Sequence, residues 1–219
     1  MDTKKLVAEF VGTFTLIFIG AGAGAVSGDL VAVALAHGFV IVGLAYAFGD
    51  LSGLHINPAV TVGLWAGGKV DTTTAVSYIV TQLVGGVAGA AVLAFVLGGT
   101  SSGLGATTLA ATVTPVQGLV IEIILTFLLV NTIYHAAVSG KAGDMAPVAI
   151  GLTLIFCILM GGPLTGASLN PARTLGPAIL TGNFANIWLY FIGPPLGAVL
   201  AALLHNYVLR PVGRVKGKK

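Results

Sequence analysis

Ser52-Gly53-Leu54-His55-Ile56-Asn57-Pro58-Ala59-Val60 returns, altered, as Gly166-Ala167-Ser168-Leu169-Asn170-Pro171-Ala172-Arg173. Asparagine is a preferred helix N-cap and proline a preferred first helical residue, so each Asn-Pro-Ala opens a helix. Glycines close both, at Gly67-Gly68 and at Gly182. Each helix is about 11 residues, or ~16 Å at 1.5 Å per residue, half the thickness of a bilayer core.

The two asparagines stand 113 residues apart, and other landmarks share that offset: Glu9 with Glu122, Thr13 with Thr126, Phe14 with Phe127. Between the landmarks lie long charge-free runs, and a spanning helix needs ~20 mostly apolar residues. They predict six spans at roughly 5–26, 31–50, 73–98, 115–138, 145–162 and 184–208, with 57–67 and 170–181 too short to cross. Each half holds three spans and one short helix. Three is odd, so the second half enters from the opposite side, giving inverted repeats at approximately 1–108 and 109–219 within a single membrane domain. Two half-helices inserted from opposite faces meet near the midplane, where irregular backbone survives only if buried in protein or lining a water-filled cavity.

Composition agrees. Of 219 residues only 8% are charged and 56% are hydrophobic, with 32 glycines, against ~25% charged in soluble domains. A single cysteine excludes a disulfide scaffold, and a net charge of +3 argues against a nucleic-acid binder. With the N-terminus in the cytoplasm, Lys4, Lys5, Lys69, Lys141, Arg210, Arg214, Lys216, Lys218 and Lys219 all lie inside and only Arg173 does not. The expectation is a multi-pass protein of a cell (plasma or inner) membrane, both termini cytoplasmic. Lys4 and Lys5 before an apolar run loosely fit a signal peptide, but Glu9 interrupts that core.

The paired Asn-Pro-Ala motifs, their spacing, the six spans and the Glu-x-x-x-Thr-Phe openings resemble the aquaporin family over nearly the whole chain. The resemblance implies an all-α membrane channel of six transmembrane helices and two re-entrant half-helices. It also implies a homotetramer with one pore per subunit, passing water and small neutral solutes such as ammonia and urea while excluding protons and ions. Asn57, Pro58, Ala59, Asn170, Pro171 and Ala172 would form the central constriction. Each asparagine oxygen caps its helix and leaves the amide for the pore, and each half-helix N-terminus carries about half a positive charge that repels cations, the effect attributed to aquaporin-type pores. By spacing from the asparagines, the resemblance assigns the selectivity filter to His37, Ile158, Ala167 and Arg173, a set similar to that of the plant tonoplast subgroup. Arg173 is an ionisable residue at membrane depth, which argues for function, with snorkelling to the headgroups as the plainer reading.

Glu9 and Glu122 admit two readings: a proton relay, or acceptors for the backbone N–H groups of the half-helix loops, where His55 would assist. The second is the expectation, because a buried carboxylate is costly unless bonded. Gly20-x-x-x-Gly24, Gly85-x-x-x-Gly89 and Gly193-x-x-x-Gly197 have the spacing of close helix crossings. Cys157, one residue from Ile158 and so about 100° around the helix, should face away from the pore. No phosphate loop, metal-ligand cluster or nucleophile with an adjacent base is evident, so neither an enzyme nor a cofactor is expected. The alternatives are a glycerol facilitator, an ion-coupled carrier using Glu9 and Glu122, and a structural membrane junction protein.

Overall fold

The computed structural model describes residues 2–209, so the basic residues from Arg210 to Lys219 lie outside the described residues. Six helices are long and apolar enough to cross a membrane: α1 (Thr3–Ser27), α2 (Leu30–Ser52), α4 (Thr72–Val96), α5 (Pro115–Val138), α6 (Gly143–Thr165) and α8 (Ile187–Leu209). The short helices are α3 (Pro58–Ala66) and α7 (Pro171–Thr181). The charge-free runs thus become the spans, within a few residues at each end.

Local chemistry sets the boundaries. Asp29 caps α2 by accepting from Ala32 N at 2.7 Å, and Thr114 with Gln117 forms a reciprocal capping box on α5. Both α2 and α6 stop at a glycine in the left-handed region, Gly53 (φ 83°) and Gly166 (φ 77°). Three spans contain π-helical turns: Leu16–Ala21 in α1, Tyr134–Val138 in α5 and Leu204–Leu209 in α8.

The helices pair as α1 on α4, α5 on α8 and α2 on α6, with α7 against α4 and α3 against α8. Glycines permit the closest crossings. A Cβ on Gly85 would lie 2.7 Å from Phe10 O and one on Gly89 2.6 Å from Phe14 O. Gly197 meets Ile123 O and Phe127 N in the same way, so two of the expected small-residue stripes are used, one in each half. Large apolar side chains such as Phe39, Phe95, Leu152 and Trp188 remain exposed on the outside, the surface a bilayer would cover.

Candidate functional site: a pore through the bundle

Both Asn-Pro-Ala segments form capped helix starts. Asn57 Oδ1 accepts from Ala59 N at 2.8 Å; Asn170 Oδ1 accepts from Ala172 N at 2.9 Å and Arg173 N at 3.3 Å. Pro58 and Pro171 are the first helical residues, and Ala59 and Ala172 are completely buried. The two tips touch. Asn57 Nδ2 donates to Leu169 O at 2.8 Å, and Asn170 Nδ2 donates to Ile56 O at 3.0 Å. An amide nitrogen carries two hydrogens, so one from each asparagine ties the opposite loop and one remains. The sequence reading left both to the pore; the cross-tie halves that number.

The loops leading to the tips are strained. Leu54 (φ 45°), Ile56 (φ 41°), Ala167 (φ 42°) and Leu169 (φ 53°) all adopt left-handed backbone. For β-branched Ile56 this is a true outlier, and such strain persists only where surroundings fix it. Glu9 and Glu122, both at 0% exposure, do the fixing. Glu9 Oε1 accepts from Ser52 Oγ (2.7 Å) and His55 N (2.8 Å), and its Oε2 accepts from Ile56 N and Gln82 Nε2 (both 2.7 Å). Glu122 accepts from Thr165 Oγ1 (2.7 Å), Ser168 N (2.9 Å) and Leu169 N (2.8 Å). The N–H groups thus turn inward to the carboxylates, and the residues between line a cavity of about 530 Å³.

That cavity brings together every filter candidate: His37, Ile158, Ala167 and Arg173 line it with Asn57 and Asn170. Arg173 is 5% exposed, and its Nε and Nη1 have no hydrogen-bond partner among the described residues. Both are hydrogen-bond donors. His37 is different. Its Nδ1 lies 2.8 Å from Val33 O, and a carbonyl only accepts, so Nδ1 carries the hydrogen. In the neutral ring Nε2, which has no partner among the described residues, is therefore an acceptor. The cavity wall thus pairs one acceptor, His37 Nε2, with the donors of Arg173. Gly20 gives the ring its place: a Cβ there would come within 2.7 Å of Nε2.

His55 Nδ1 lies 3.1 Å from Thr61 Oγ1, and its ring meets Tyr78 edge-on at 5.0 Å. It supports the first loop. Cys157 is 1% exposed and turns its Sγ to Leu125 O at 3.6 Å, away from the cavity that Ile158 lines. Reading the sequence missed Gln82, Thr61 and Thr174, and the tyrosines whose hydroxyls donate to Ser52 O (Tyr78, 2.9 Å) and Thr165 O (Tyr190, 2.6 Å). Thr61 and Thr174 share the 113 offset and were findable. The tyrosines differ by 112, so a one-residue slip hid them.

Two half-helices joined tip to tip in a lined cavity inside six membrane-length helices define a membrane channel. The chain matches the Major intrinsic protein family model over residues 1–205 and belongs to that family. It is 40% identical to "Probable aquaporin TIP2-2" of Oryza sativa subsp. japonica, the match covering 94% of this chain and 87% of that one. It is 41% identical to "Aquaporin AqpM" of Methanothermobacter marburgensis, over 94% and 97%. Among solved structures, the aquaglyceroporin from Plasmodium falciparum superposes with a TM-score of 0.87 at 26% identity, covering 95% of this chain and 97% of that one.

Proposed function

We propose that this protein is a passive channel for water that also admits ammonia and urea and excludes protons and ions. The observation that carries the reading is the cross-tied pair of asparagines lining the same cavity as the four filter candidates. A water there meets the remaining amide hydrogens of Asn57 and Asn170 and accepts from both. Oriented so, it cannot relay a proton along a chain of waters, and the positive ends of α3 and α7 oppose any cation. Flow follows an osmotic or concentration gradient.

His37, Ile158, Ala167 and Arg173 form the filter in this reading. Ile158 and Ala167 leave more room than aromatic side chains would, and a solute with both donor and acceptor groups pairs with His37 Nε2 and Arg173 together. The halves 1–108 and 109–219 act as inverted repeats, the chain works as a homotetramer, and both termini lie in the cytoplasm of a cell membrane, with Lys4, Lys5, Lys69 and Lys141 inside.

The test is purified protein in liposomes, with vesicle shrinkage followed under sucrose, glycerol and urea gradients. Rapid shrinkage in sucrose with slow re-swelling in glycerol is expected. Glycerol entering as fast as water leaves would favour a glycerol facilitator, and no flux above empty vesicles would sink the channel reading.

A further inference from the structure

One cluster of ligating side chains stands outside the pore. On α5 the positions 123, 127, 131 and 135 fall on one stripe, and at its first two residues Ile123 O and Phe127 N abut Gly197 of α8. Further along α5, His135 reaches the α5–α8 seam, and Asn131 stands one turn before it. From α8, His205 meets it: the His135 and His205 rings are 5.0 Å apart at 67°. Both residues sit in π-helical turns, Tyr134–Val138 and Leu204–Leu209. Such turns are rare and concentrate at functional sites.

Two buried polar atoms on this stretch of α5, His135 Nε2 and Asn131 Oδ1, have no hydrogen-bond partner among the described residues, which is costly unless something else satisfies them. His205 is 5% exposed. A tetrahedral ion with bonds of about 2.1 Å to each ring nitrogen holds two imidazole centres on the order of 5 Å apart. The electrostatics also favour a cation. Tyr134 donates to Gly63 O at 2.9 Å and Asn206 to Gly67 O at 3.2 Å, so the neighbours of both histidines grip the C-terminal turn of α3, its negative end.

We propose that His135 and His205 bind a borderline divalent transition cation, with Zn²⁺ as the type. The ion bridges α5 and α8 and braces the turns that hold the end of the first half-helix. No third His, Cys, Asp or Glu joins the pair among the described residues, so the ion keeps water ligands and Asn131 Oδ1 accepts from one of them. Only neutral imidazoles bind, so protons compete as pH falls.

The experiment is a Zn²⁺ titration of the untagged protein in detergent, reading Tm and the visible spectrum of bound Co²⁺. Zn²⁺ should raise Tm, because it binds the folded seam, and Co²⁺ should give a low-coordinate spectrum that Zn²⁺ erases. The double variant His135→Gln with His205→Gln should lose both signals while water flux in liposomes stays unchanged, and Asn131→Leu should weaken binding about tenfold. If the double variant fails to fold, the Co²⁺ spectrum of the native protein decides alone. A native protein whose Tm ignores Zn²⁺, a Co²⁺ spectrum identical to that of the aqueous ion, or a folded double variant that keeps the response would each overturn the site.

Discussion

Glu122 accepts from Thr165 Oγ1, Ser168 N and Leu169 N with two oxygens, and an amide in its place can accept through only one. Glu122→Gln therefore turns an NH2 group toward a buried donor, at a cost of about 1–3 kcal/mol. We expect a lower Tm in detergent and no change in proton permeability; a normally folded variant with altered proton flux would restore the relay reading. Ala167 lines the cavity while Cys157 packs against α5. Mercury should therefore block the native channel poorly and block Ala167→Cys strongly, measured as vesicle shrinkage; strong native inhibition abolished by Cys157→Ser would contradict the placement. At this scale the sequence was only half legible. Asparagine, proline and glutamate announce their roles through local chemistry. The bond from Gln82 to Glu9 joins residues 73 apart and leaves no local trace, and the left-handed φ of Ile56 runs against its own type.

Helices were the most readable level, because a span is a statement about length and polarity. The half-helices were legible too, since their caps are written in the motif itself. Which helices touch was less so: Gly85, Gly89, Gly193 and Gly197 mark crossings, but 32 glycines offer many such stripes, and only the packing selects among them. Gly197→Leu should force α5 from α8, since Ile123 O occupies the Cβ position. Overpacking of this kind costs about 1–3 kcal/mol or more, seen as a fall in Tm or in the yield of folded protein. At the exposed start of α4, Asp71 accepts from Thr74 N and Thr74 Oγ1, and the side-chain bond, then the backbone bond, hold its carboxyl below the usual value of 3.8. The cap is at full strength above that value and fades as pH falls through the lower folded one. Amide exchange in the first turn of α4 should quicken in that acid range, and Asp71→Asn should flatten the dependence; an equal response in both would refute it.

For the whole molecule, the proposed filter of His37, Ile158, Ala167 and Arg173 sets the expectation for which solutes pass. Replacing His37 by Phe and Ile158 by His narrows the cavity and removes the Nε2 acceptor. Urea permeability of the liposomes should fall about tenfold, one hydrogen bond's worth, while water still passes. Equal urea flux in both proteins would dismiss the filter assignment. The cross-tie between the tips also bears on how the protein is made. Glu9, Ser52, His55, Ile56 and Gln82 all emerge early, so the first loop can settle around its carboxylate while the ribosome is still at work. The Asn57 amide cannot finish, because its acceptor, Leu169 O, lies 112 residues downstream. At 5–20 residues per second that interval is on the order of ten seconds. Until Leu169 is made, the Asn57 amide has no cross-tie to form, and the second half supplies it on arrival.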